Sequence, residues 1–249
     1  MTAMTMTTPA TPARQGSRLL KVVKLQYVNR WTFVLTPLMV FAAAWVITLA
    51  IFAMVDKVAD DGETSANIGG GTQAPLWYLL AVGIMSMTTT FPFSQALSIT
   101  RKEFFTGTLL AAAFSVGGLA ILFVLLGWVE QVTDGYGIQG YFGYLGWVWE
   151  AGPLAAWLTY FVMGMFFFVI GFWAGTVFKR YGSVAMTVTL IAIAVVLLGL
   201  VALITLTESW PDVVRVFQDL GSLGLTVAGL VLTALLAFGA YLTLRKMPA

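Results

Sequence analysis

The chain has 249 residues, 59% of them apolar and 10% charged, with a mean hydropathy of +0.91. Soluble domains carry about 45–50% apolar and about 25% charged residues, so this composition excludes a soluble globular domain or a disordered chain and leaves an integral membrane protein. The formal charge of +2 is uninformative, but the absence of cysteine and histidine excludes disulfide frameworks, thiolate nucleophiles, Cys/His zinc sites, histidine-ligated haem and Ser-His-Asp triads.

In chain order, residues 1–17 form a leader rich in Thr, Ala and Pro, without apolar periodicity and expected to be disordered. Residues 18–31 resemble a cytoplasmic interfacial helix with one stripe, Leu20, Val23, Tyr27 and Trp31, interrupted by Lys24, whose ammonium group would have to snorkel. Six apolar runs follow: Thr32–Val55, Leu76–Thr100, Gly107–Val129, Pro153–Phe178, Ser183–Leu206 and Ser222–Leu244. Each exceeds the roughly 20 residues a helix needs to cross a hydrocarbon core of about 30 Å. The short alternating segments of a β-barrel are absent. The expected fold is an all-α membrane protein, one domain over 18–249 with six transmembrane helices.

Between the spans, Asp56–Pro75 is acidic and Gly-rich, and Glu130–Gly152 carries Tyr136, Tyr141, Phe142, Tyr144, Trp147 and Trp149. Such aromatics suit anchoring at the headgroup belt, with a substrate-contacting lid as the sharper alternative. Residues 209–221 read as a short external helix with Pro211 in its first turn and one apolar face, Val213, Val216, Phe217 and Leu220.

Charge placement orients the chain. Every basic residue except Lys57 and Arg215 lies before span one, between spans two and three, between spans four and five, or after span six. The positive-inside rule makes that side the cytoplasm and puts both termini there. Every acid except Glu103 falls on the other side. The cytoplasmic turns, Arg101–Thr106 and Lys179–Gly182, are too short to hold a catalytic domain. No span carries a charged residue in its interior, which weakens proton-driven readings without excluding a sodium site built from neutral groups. No G-x-x-x-x-G-K-[ST] phosphate loop occurs, so any ATP-driven activity needs a second polypeptide.

Span two has a polar inner half, with Thr88, Thr90, Pro92, Ser94, Gln95 and Ser98. Pro92 removes a backbone donor, and the threonine hydroxyls can partly re-satisfy the break. Two readings stay open: interhelical hydrogen bonding around a kink, or part of a translocation pathway. In span four, Gly164, Gly171 and Gly175 include a G-x-x-x-G pattern that permits close helix approach, within one chain or between two.

The junction Ala96-Leu-Ser-Ile-Thr-Arg-Lys-Glu-Phe-Phe-Thr-Gly-Thr-Leu-Leu110 resembles a segment of the membrane subunits of bacterial ATP-binding-cassette exporters of the type-2 class. The turn Lys179-Arg-Tyr-Gly182 is loosely similar to that pattern, as are the six spans, the basic first helix and the external helix. The resemblance implies a bacterial inner (plasma) membrane location. It also implies two permease subunits, a homodimer or else a heterodimer, and two cytoplasmic ATPases that bind ATP and Mg. This chain would hold no cofactor or metal and would not be an enzyme. Residues 100–106 would form a coupling helix: Arg101 and Lys102 would meet acidic ATPase groups or lipid phosphates, Glu103 a basic group, and Phe104 and Phe105 an apolar cleft, with Lys179 and Arg180 nearby. Ordinary interfacial anchoring is the alternative for this turn. The expected function is export of a hydrophobic or amphipathic substrate through the bilayer, with no nucleic-acid partner. The alternative is a stand-alone channel, scramblase or assembly factor.

Overall fold

A computed structural model describes residues 15–28, 31–58, 67–68 and 70–246. Most of the leader, Arg14 and Arg30 lie outside the described residues. Helix α1 (Gln15–Val28) is followed by a wide π-helical segment, Trp31–Leu35, and α2 (Thr36–Val58). After β1 (Asn67–Ile68) come α3 (Gln73–Met85), a second π-helical segment, Ser86–Thr90, and α4 (Phe91–Ala96). Next is α5 (Arg101–Val132). Then β2 (Gly140–Tyr141) pairs in parallel with β1 as a two-residue bridge, and α6 (Gly146–Trp149), α7 (Pro153–Leu206) and α8 (Trp210–Arg245) complete the chain.

The protein is overwhelmingly helical, and five helical stretches are long and apolar enough to cross a membrane. The fourth of these, α7, has 54 residues and would be about 80 Å long if straight. It is broken at Gly182, where φ is +83° and ψ −178°. That backbone region is open essentially to glycine alone. Helix α8 breaks in the same way at Gly221 (φ +57°, ψ −173°), which sets the stretch expected to be external apart from the rest.

Side-chain contacts define two ends. At one, the Arg101 guanidinium donates to the carbonyl of Arg245 (3.1 Å) and that of Arg180 to the carbonyl of Thr243 (3.3 Å). At the other, the loop 140–149 packs on α2, on the start of α3 and on the C-terminal end of α5. Two apolar cores sit between them: one around Phe104, Phe168, Phe172 and Met87, the other around Phe123, Phe142, Leu79 and Tyr160.

Small residues let α3 and α7 touch backbone to backbone. A methyl group on Gly171 would collide with the carbonyl oxygen of Leu80, and one on Gly83 with that of Phe168. Gly175 faces Met87 and Ile84, and Gly164 faces Val116 and Leu79. The glycines of the G-x-x-x-G pattern thus lie at contacts within the chain.

Helix α1 departs from the expected stripe. Leu20 and Trp31 are exposed, whereas Val22 and Gln26 are buried. Val22 fills the space over Gly107, and Gln26 donates to the Thr108 hydroxyl (2.7 Å). The Tyr27 hydroxyl lies 3.0 Å from the Ala111 carbonyl and 2.8 Å from the Ser115 hydroxyl. The helix docks along α5 through polar bonds that an apolar-stripe count does not register.

Candidate functional site

Three regions carry the polar chemistry. The first is the C-terminal half of the second candidate span. Its distortion precedes Pro92: the backbone widens to π-helical geometry over Ser86–Thr90, where the Phe91 N–H reaches back to the Ser86 carbonyl. Such widenings are rare and recur at functional sites. Thr88 donates to Ile84 within its own helix (3.1 Å), and the buried Ser94 hydroxyl donates to Phe91 (2.7 Å). Thr88 and Thr90 are half-buried, while Thr89, Pro92, Gln95 and Ser98 are exposed. Gln95 donates only to the nearby Ile99 carbonyl (3.2 Å). Gln95 and Ser98 therefore point out of the chain while Ser94 turns inward, and none of the expected polar residues makes a bond to another helix among the described residues.

The second region is the turn expected to couple to a partner. The helical part of the preceding span stops at Ala96, and Ser98 adopts a left-handed conformation (φ +55°) that reverses the chain. Thr100 then caps α5. Its hydroxyl accepts from the Glu103 N–H (3.3 Å), and the Glu103 carboxylate accepts from the Thr100 N–H (3.0 Å) and hydroxyl (2.8 Å). This reciprocal capping box makes Arg101 the first residue of the long helix.

One expectation is corrected here. Phe104 does not project toward a partner: its side chain is 0% exposed and packs on Phe91 and Phe172, with ring centroids 5.2 and 6.4 Å away. The cap sets the helical phase. From it, Phe104, Gly107, Thr108 and Ala111 fall at i, i+3, i+4 and i+7 on the buried face. Phe105 is half-buried against Phe172 and Tyr241. Arg101 and Glu103 are half-buried and engaged, and Lys102 is exposed. Lys179 is exposed, and Arg180 stacks over Tyr181 at 4.7 Å.

The third region is the loop folded over the C-terminal end of α5, which the sequence reading missed. Glu130 is 0% exposed, and one carboxylate oxygen accepts three consecutive backbone N–H groups, from Phe142 (3.1 Å), Gly143 (2.8 Å) and Tyr144 (2.8 Å). The Gly143 carbonyl receives the Trp149 indole N–H (3.1 Å) and the Tyr160 hydroxyl (2.8 Å). Thr72 donates to the Phe142 carbonyl (2.8 Å). Phe142 itself wedges between Phe41 and Phe123. Phe142 and Trp149 are therefore core residues rather than headgroup anchors, while Trp147 stays exposed. The other Glu130 oxygen, the Tyr136 hydroxyl and the Trp45 indole N–H are buried without hydrogen-bond partners among the described residues. Burial pushes the Tyr136 hydroxyl pKa above its ordinary value, and the Glu130 charge adds to the rise. Among the described residues, no group of three or more acidic side chains is placed to hold a metal.

The chain matches no protein-family model, no curated protein and no solved structure.

Proposed function

We propose that this protein is the permease subunit of an ATP-driven exporter in a bacterial inner membrane. It crosses six times with both termini cytoplasmic and pairs with a second copy. The observation that carries the reading is the outward strip Thr89, Pro92 and Gln95, whose threonine and glutamine side chains are exposed on a membrane-length helical stretch. Polar groups facing hydrocarbon are costly, so a strip aimed out of the chain calls for a neighbour that is not lipid. A second copy supplies one, and the two strips then border a path between subunits for an amphipathic substrate. Six crossings follow if the chain reverses at Gly182 and the stretch after Gly221 returns to the end that holds Arg101.

Energy for transport comes from separate ATPases, since this sequence has no phosphate loop. Their docking site is the end bearing Lys102, Lys179 and the rim of Phe105, with Phe104 holding the turn in place from inside. The same strip also suits a stand-alone scramblase, in which lipid headgroups would travel along it.

A single-cysteine variant tests the pairing against a cysteine-free background. Gln95→Cys is expected to form a disulfide-linked dimer in oxidised membranes, whereas Val195→Cys on the exposed stretch after Gly182 serves as a comparison. Failure of Gln95→Cys to cross-link removes the shared path. Transport that proceeds without ATP or a co-purifying ATPase favours the scramblase.

A further inference from the structure

The turn after α4 and the flank of α1 border an open cavity of about 550 Å³, within the size range of small-ligand pockets. Its walls are of two kinds. Leu25, Val28 and Leu97 are apolar, whereas Lys21, Lys24 and Ser98 are polar. Neither ammonium group forms an ion pair, and the Ser98 hydroxyl makes no hydrogen bond, among the described residues. Glu103 also borders the cavity, but its carboxylate is turned back onto Thr100 by the capping box. Two lysines against one carboxylate leave the site net positive.

Depth decides the class of ligand. Val22, between the lysines, sits on Gly107, the first residue of the apolar run of α5. Lys21 and Lys24 are therefore level with the boundary between headgroups and hydrocarbon. A soluble anion would use the ammonium groups and leave the leucines and valine idle. A diacyl phospholipid uses both, with its phosphate against the lysines and Ser98 and its first methylenes along the apolar wall.

We infer that this cavity is a binding site for one anionic glycerophospholipid, which ties α1 to the turn ahead of α5. The site rests on geometry. Only its assignment to the cytoplasmic leaflet rests on the orientation proposed above.

The test uses the purified full-length chain in neutral detergent, with retained lipid read by native mass spectrometry. Phosphatidylglycerol should bind in preference to phosphatidylcholine. Each lysine-to-glutamine change should weaken phosphatidylglycerol binding about fivefold, and Lys21→Gln with Lys24→Gln about 25-fold. Lys21→Arg with Lys24→Arg should retain it, and Lys57→Gln, on a separate helix, should leave it unchanged. Equal phosphatidylglycerol binding by the native chain and the double glutamine variant overturns the site. Displacement of the lipid by an equal concentration of glycerol phosphate overturns the lipid assignment in favour of a soluble anion. Detergent exposes both leaflets, so this result is independent of sidedness. Labelling of Ser98→Cys by an impermeant reagent from outside the cell would overturn the orientation and leave the lipid site standing.

Discussion

Three backbone amides converge on one Glu130 oxygen, and nothing else among the described residues satisfies them. A buried donor left without a partner costs about 1–3 kcal/mol. Glu130→Ala orphans all three and should lower stability by at least about 3 kcal/mol, read as thermal unfolding in detergent and as faster proteolysis of 133–145. Glu130→Gln keeps an acceptor oxygen and should lose less. Phe104→Ala should cost about 3–5 kcal/mol by opening a cavity in the inner core. Its effect on partner docking would be indirect, so a surface variant is the cleaner probe. Lys102→Glu with Lys179→Glu should leave stability within about 0.5 kcal/mol and reduce co-purification of an ATPase. Unchanged co-purification would move the docking site elsewhere. Both Glu130 and Phe104 were opaque to sequence reading for a physical reason. A carboxylate at a helix end reads as solvated until the loop that folds over it is known. A phenylalanine in a short basic turn reads as exposed until the capping residue fixes its phase.

Between elements, the closest approach is α3 against α7, where glycine is required by backbone atoms rather than by flexible side chains. Gly171→Ala should push the helices apart and cause a large loss of folded protein, because the Leu80 carbonyl cannot give way without moving its helix. Gly118→Ala is the control: it has open space within 4 Å and should be neutral or stabilising by about 0.5–1 kcal/mol. A reversed order of stabilities would show that the contact is not what holds these helices. The glycine spacing was legible in the sequence, and so was each apolar run long enough to span. Element ends were not. The second candidate span closes its helix at Ala96 instead of Thr100, because Ser98 turns left-handed, and the widening at Ser86–Thr90 has no composition signal of its own. The docking of α1 was hidden because Gln26 and Tyr27 do by hydrogen bonding what the stripe rule assigns to apolar side chains.

On the scale of the whole molecule, basic residues from distant parts of the sequence meet at one end: Arg101 with the C-terminal turn of α8, and Arg180 beside Thr243. A single cysteine at the exposed Gln131 should react with an impermeant reagent added outside cells, and one at the exposed Ser183 should not. The reverse pattern would invert the orientation and remove the ATPase-facing end. The stretch after Gly182 adds little to either core, and its large side chains from Val184 to Leu206 are exposed except for the half-buried Met186 and Ile204. Its stability must come from lipid or from another subunit, so extraction in harsh detergent should loosen it first, as read by hydrogen exchange. Charge counting groups Arg101, Arg180 and the C-terminal turn because each is legible as a single residue. The inward and outward faces of each helix depend on neighbours that a linear pattern does not contain.

Gly182 also bears on how the chain is made. A single non-helical residue separates two membrane-length helices, so the only hydrophilic stretch between them is the short basic run Lys179 and Arg180. If the chain reverses at Gly182 as proposed, the pair enters the bilayer together as a hairpin, with the glycine at its tip. A side chain there would favour one continuous rod nearly three times as long as the hydrocarbon is thick. The first symptom of such a lesion would be stalled insertion and quality-control degradation of the nascent chain, before any question of transport arises.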